Sequence, residues 1–507
     1  LANASQGPPA GNPYGTGSQP VIPAFLNAAN TTPSGNTDWF SEITAPAVIQ
    51  SHTASFLNGN EKGQTAFNVG YYDQKGVLKY SSGFTRYSAR FNSDYTYFKR
   101  LKVGEFASVV NTESQAVSEN SALGSAINSV YFADPILPVY DINGNYSGPP
   151  ANMPIGGRNP LSSLHSGVFN YAKTWRVLGK VFADMAISNG LNITTSYAVD
   201  YTNYNSKSFN PTFSEGTQTN STNTVSYYNS YTFNTTWTNT VTYKKTIGMH
   251  ALDILGGTEF IHGVSKNIGA ARSALPSNDI NIQQINAGTL APTNSGTGVE
   301  NALFSLFGKV NYIYADRYHA SFTLRKDASS RLPVTRNSQV FPAFSLGWRI
   351  SDESFFSNIR KTISELKLRG GWGQTGNQEI TDYSYFFTYA PNLSADNSYY
   401  DIGGTNTGAV TGYTQNRIGN PLLRWETSSQ TNIGLDLTAF NSRFSLSVDV
   451  FEKQTKDLLV QPPLPATFGA ATPPFINGGS MSNRGIEIEA GYSGKAGPDF
   501  SFSVSGN

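Results

Sequence analysis

Four features of this sequence carry residue types that could do chemistry. Gly371, Gly373 and Gly376 form the glycine spacing that can cradle a dinucleotide pyrophosphate. That role needs a helix directly after the last glycine, inside a strand–helix–strand unit. The next residues are Asn377-Gln378-Glu379-Ile380-Thr381-Asp382-Tyr383-Ser384-Tyr385, loop-like and aromatic, so the segment reads as a strand end entering a long loop. Asp141-Ile142-Asn143-Gly144-Asn145 starts like a calcium loop, but Tyr146 replaces the glycine of the sharp turn and Asn152 stands where a bidentate Glu belongs. An Asx-rich turn is the better reading. His52, His165, His250, His262 and His319 show no metal-ligand spacing, and a chain with no cysteine has no thiolate site. Glu487 and Glu489 share one strand face and could perturb each other, yet no nucleophile or oxyanion-hole motif accompanies them. The reading is no enzyme, no cofactor and no metal.

The elements that must position these residues are strands. Leu191, Ile193, Tyr197, Val199 and Tyr201 alternate with Asn192, Thr194, Ser196 and Asp200. The same alternation returns in Phe233/Trp237/Val241/Tyr243, Ile433/Leu435/Leu437, Phe444/Leu446/Val448/Val450, Ile486/Ile488 and Phe500/Phe502/Val504. Successive side chains of a strand point to opposite faces, so each stretch has one apolar and one polar face. About 10 residues at 3.3 Å, tilted near 45°, span roughly the 25 Å apolar band of an outer membrane.

Connection lengths alternate as well. Short ones fall at Asn58–Gly63, Thr96–Phe98, Ser188–Gly190, Lys244–Gly248, Ala315–Arg317, Asn441–Arg443 and Ser493–Asp499. A further member of this set, Asp352–Ile363, reads as a brief amphipathic turn of helix. Long ones fall near Val110–Lys173, Tyr201–Thr222, Val264–Asn301, Gly376–Ser428 and Lys453–Ser482. Unstructured loops beyond about 12–15 residues are uncommon in compact soluble domains. A barrel with tight turns on one side and large loops on the other explains the asymmetry, where a soluble sandwich does not. The expected fold is therefore all-β, a large antiparallel transmembrane β-barrel.

Charge and composition agree. Lys367 and Arg369 oppose Leu366 and Leu368, Arg86 and Arg90 oppose Tyr87, Ala89 and Phe91, and Glu487 and Glu489 oppose Ile486 and Ile488. A Lys or Arg facing lipid at mid-depth costs roughly 2–4 kcal/mol, so these charges must line a watery lumen. A formal net charge of +1 gives no field to attract nucleic acid. No run of 18 apolar residues is present to form a membrane-crossing helix. Parity makes residues 1–48 an extracellular segment that comes after a missing ascending strand. Residues 49–507 then supply about sixteen strands of a barrel that is incomplete at its C-terminus.

Several segments resemble the SusC/RagA-like group of TonB-dependent outer-membrane transporters. The motifs run in order: Asn36-Thr37-Asp38-Trp39, Gly59-Asn60-Glu61-Lys62, Pro138-Val139-Tyr140-Asp141, Leu324-Arg325-Lys326-Asp327 and Phe341-Pro342-Ala343-Phe344. Leu366-Lys367-Leu368-Arg369 through Gly376-Asn377-Gln378 comes next, then Asn420-Pro421-Leu422-Leu423-Arg424-Trp425 and Asn483-Arg484-Gly485-Ile486-Glu487. The resemblance implies a 22-stranded barrel in the outer membrane of a Gram-negative cell, with its plug domain not in this chain. It implies energising by a TonB complex through the missing plug region, and a SusD-like surface lipoprotein as a lid over the barrel. It also implies transporter–lipoprotein pairs that can dimerise.

On this reading the function is import of a bulky nutrient, an oligosaccharide or a peptide, through a lidded barrel. The alternatives are a passive outer-membrane pore and a secreted β-rich carbohydrate-binding or adhesin module. Trp372, Asn377, Gln378, Tyr383 and Tyr385 are the candidates for substrate contact at the mouth, because rings stack on sugars and amides bond sugars and peptides.

Overall fold

The computed structural model describes residues 22–80, 82–115, 126–150, 157–168, 170–391, 399–401, 409–465, 467 and 471–507. Sixteen antiparallel strands form one sheet, each paired with its neighbours in chain order. They are β1 Ile49–Asn60, β2 Gly63–Lys75, β3 Gly83–Tyr97, β4 Leu101–Gln115, β5 Tyr171–Ser188, β6 Leu191–Asn210, β7 Thr224–Ile247 and β8 His250–Ser273. The second half is β9 Leu290–Tyr314, β10 Tyr318–Ser329, β11 Ser338–Arg349, β12 Ile363–Asn377, β13 Glu426–Ala439, β14 Phe444–Lys456, β15 Ser480–Lys495 and β16 Ser501–Gly506. The end strands β1 and β16 do not pair with each other. Tight turns make neighbour pairing the natural outcome of antiparallel strands. Between β9 and β10, Ala315 and Asp316 hold φ of 53° and 56°, the sense that matches the twist of the flanking strands.

Register converts the alternation of residues into two continuous surfaces. Paired residues share a face, so Tyr243, Ile254, Val310, Phe322, Phe344 and Trp372 make one apolar row across six strands. Nearer the short turns, Tyr314, Tyr318, Trp348, Leu368, Leu435, Val448 and Ile488 make another. On the opposite face run Lys244, Asp253, Asn311, Ser321, Ser345, Gly371 and Asn432. That polar row borders a concave space of ≈ 710 Å³, also lined by His319, Lys367 and Arg369. The apolar rows are uncovered: Leu346 is 61% exposed and Ile488 55%. A sandwich would bury such a face; a membrane wall presents it to lipid.

The polar face carries its own bonding. Arg369 spans three strands, reaching both oxygens of Asp436 at 3.0 and 3.1 Å and both of Asp449 at 2.6 Å. Gly434 lies beneath it, and a Cβ there would come within 2.5 Å of the guanidinium carbon. Only glycine lets the arginine lie flat across the sheet.

Buried apolar clusters sit at the long-connection end. Leu332, Phe341, Ile380, Leu423 and Trp425 form one, and Trp425 Nε1 donates to the Asn337 carbonyl at 2.8 Å. Leu26 and Trp39, the latter in the short helix Trp39–Ile43, pack on Ile136 and Leu137. Phe209, Val225 and Leu275 form a third.

Two expectations change. All strands but the six-residue β16 are longer than ten residues: β9 has 25, roughly 80 Å along its axis against a band of roughly 25 Å. Most of the expected Val264–Asn301 loop is thus paired strand, with Val299 opposite Ser265 and Leu290 opposite Ser273. Likewise β6 continues to Asn210 within the expected Tyr201–Thr222 loop. The Asp352–Ile363 connection, expected to hold a brief turn of helix, carries the 3₁₀ turn Ser354–Phe356 directly after another at Ile350–Asp352. Asp352 ties this turn to both sides, accepting from Arg349 at 3.2 Å and Arg360 at 2.8 Å.

This geometry sets two expected outcomes. Leu346→Arg, on the apolar face, is expected to cost about 2–4 kcal/mol of stability in a bilayer, read as a lowered urea midpoint. Ser345→Arg, one residue away on the polar face, leaves the midpoint within error. Trp425→Ala is expected to remove about 3–5 kcal/mol from the loop cluster alone. Limited proteolysis will then cut the long connections while the heat-modifiable migration of the barrel on gels persists.

Candidate functional site

Strands β12 and β13 deliver both ends of the segment 378–425 to the long-connection end of the wall. Asn377, the last residue of β12, starts the departure from the sheet. Its Oδ1 accepts from Glu379 N at 2.9 Å, and its Nδ2 donates to Glu426 Oε1 at 3.3 Å. Glu426 Oε2 in turn accepts from Leu459 N at 3.0 Å, tying two connections together.

Beyond Asn377 the loop is held by ions and rings. Arg331 donates from Nε to Asp382 at 2.9 Å and from Nη1 to Glu379 at 2.7 Å. Asp382 also accepts from Asn301 Nδ2 at 3.2 Å. Tyr383, at φ 61°, turns its hydroxyl to accept from Glu300 N at 3.2 Å. Tyr385 packs on the Trp425 cluster with its ring 4.3 Å from that of Phe386. Gln378 leaves Oε1 buried with no donor. Charge-assisted bonds of this kind fix a loop better than neutral ones, so this loop is a shaped surface.

The expected contact residues divide. Asn377, Gln378, Tyr383 and Tyr385 come together in one loop. Trp372 does not join them: it shares the parity of Leu368, lies on the outward apolar row, and sits 5.7 Å from the Phe344 ring. One register step separates a lumen residue from a lipid-facing one, and Trp372 falls on the lipid side. Arg331, Glu379 and Asp382 were missed as a site. The spacing of the two acids was visible, but nothing in sequence links them to an arginine some fifty positions earlier.

The other candidate motifs take structural places. Gly371, Gly373 and Gly376 lie within β12, with no helix after them. Asp141 Oδ1 accepts from the backbone of Asn143 and Asn145, both at 2.9 Å, closing an Asx turn. Desolvation pushes the Asp141 carboxyl up, but the hydrogen bonds from Asn145 and Asn143 together outweigh it and hold the group below the usual carboxylate range. His262 bonds Glu300 at 2.6 Å and His250 bonds the Tyr312 hydroxyl at 2.7 Å. Among the described residues no three His, Asp or Glu are grouped to hold a metal.

Beside the loop lies a cavity of ≈ 340 Å³, lined by Thr381, Ser384, Thr388, Asn416, Arg417 and Gln461 with Phe475. Hydroxyl, amide, guanidinium and ring groups at one place suit a polar solute.

A family model described as TonB dependent receptor-like, beta-barrel, matches residues 3–507. TonB-dependent receptor P3 of Formosa agariphila is 29% identical over 479 residues, covering 93% of this chain and 46% of the relative. TonB-dependent receptor SusC of Bacteroides thetaiotaomicron is 29% identical over 528 residues, covering 96% and 48%. The structure of the RagAB peptide transporter superposes with a TM-score of 0.78 at 24% identity, over 93% of this chain and 51% of that one, a likeness of fold. The chain spans about half the length of the curated relatives it matches. Residue pattern, sheet and comparisons agree, and the chain belongs to the TonB-dependent receptor-like β-barrel family.

Proposed function

We propose that the protein imports a bulky nutrient, an oligosaccharide or a peptide, across the outer membrane in a TonB-dependent manner. The observation that carries this reading is the pairing of an uncovered apolar face with a concave polar one, capped by packed loops at one end only. A passive pore has no need of a mouth built from several buried clusters. The names of two relatives support the same reading: SusC is called a TonB-dependent receptor, and RagAB a peptide importer. On this proposal a SusD-like lipoprotein covers the long-connection end, and the transporter–lipoprotein pair can itself dimerise. The described residues of 49–507 are wall and loops, and residues 22–48 belong to the extracellular cap; residues 1–21 lie outside the described residues. Asn377, Gln378, Tyr383 and Tyr385 form part of the mouth; Trp372 is left to the lipid boundary.

The test is uptake by cells carrying the intact transporter, using fluorescent maltooligosaccharides and fluorescent oligopeptides. Accumulation of one class is expected, lost on deletion of TonB and reduced on deletion of the neighbouring lipoprotein. Uptake unchanged without TonB makes the barrel a passive pore and defeats the proposal.

A further inference from the structure

The arginines of the loop cap have carboxylate partners in most of the places where they are enclosed. Arg158 holds Glu215 at 3.2 Å, and Arg331 holds Glu379 at 2.7 Å and Asp382 at 2.9 Å. Arg417 is different. It is half-buried on the wall of the ≈ 340 Å³ cavity, and among the described residues no carboxylate lies within ion-pair distance of it. Its one hydrogen bond runs from Nη1 to the Asp382 carbonyl at 3.3 Å, and Nε is buried without an acceptor. An enclosed charge is normally paired, and an enclosed donor left without an acceptor is costly. The described lining of the cavity supplies hydroxyls and amides but no acid.

From this we infer that Arg417 is the receptor for a carboxylate of the transported solute, held in the cavity between the 381–388 and 416–418 segments. With Nε enclosed and Nη1 held by the Asp382 carbonyl, Nη2 is the guanidinium nitrogen left to meet a carboxylate, in one charge-assisted bond. Arg417 is itself fixed by the Asp382 carbonyl and by the backbone bridge to Thr472, so the charge is presented from a held position. Asn416 Oδ1 accepts from Thr388 and Gln461 Nε2 donates to the Pro473 carbonyl, which leaves Asn416 Nδ2 and Gln461 Oε1 to bond the adjoining amide or hydroxyl groups. The inference rests on the mouth proposed above and narrows its solute to one bearing an anionic carboxyl: a peptide with a free C-terminus or a uronate-bearing glycan.

The test uses the intact transporter purified in detergent and isothermal titration with four probes. These are N-acetyl-Ala-Ala, its C-terminal amide, glucuronic acid and its methyl ester. One acid is expected to bind about tenfold or more tighter than its neutral counterpart, and which acid does so identifies the source of the carboxylate. Arg417→Gln removes the preference while the heat-modifiable migration persists; Arg417→Lys restores part of it. Equal binding of acid and neutral forms, no binding of any probe, or a preference that survives Arg417→Gln overturns the inference. TonB-dependent uptake without acid preference defeats this site alone. Acid preference without TonB-dependent uptake defeats the transport reading alone.

Discussion

A peptide group inside hydrocarbon has no water to bond, and each one left unsatisfied costs several kcal/mol. Everything else in this chain stems from meeting that constraint with strands. Once sixteen strands pair in chain order, the backbone groups along their paired stretches bond across to a neighbour, and the side chains are left with only two directions. One direction must then suit lipid, which is why Phe322, Phe344, Leu346 and Ile488 can stay uncovered. The other is free to carry charge, and Arg369 with Asp436 and Asp449 occupies it.

Such a wall has no core of its own. The residues that would form the interior of a soluble domain are displaced to the long-connection end, where Trp425, Phe341 and Leu423 pack together and Arg331 fastens a loop through two acids. The loops are therefore fastened by their own side chains together with a few at the strand ends, Phe341 of β11 among them. The Arg417 cavity lies in this loop region.

How much of this was legible in the sequence depended on whether a signal was local. Strand faces were, because alternation in Ile486-Glu487-Ile488-Glu489 reports which face each residue takes. The segment Leu290–Gly298 was not: its Gly, Ser, Thr and Asn residues carry no alternation, and it is a strand because β8 pairs with it. Trp372 was misplaced for a related reason, since an aromatic at a strand end suits a mouth or a girdle equally until register is known. The ionic clamp of Arg331 and the solitary Arg417 were beyond reach, because their partners, or the lack of them, lie in other connections.

The measurement that bears most directly on the account is a spin-label scan along β12 in the intact protein reconstituted in lipid. Labels at Leu366, Leu368, Gly370 and Trp372 should show high collision rates with oxygen, which dissolves in hydrocarbon. Labels at Lys367, Arg369, Gly371 and Gly373 should instead meet a water-soluble nickel chelate. A scan with the two sets exchanged, or with no two-residue period, would contradict a wall whose apolar side chains face lipid.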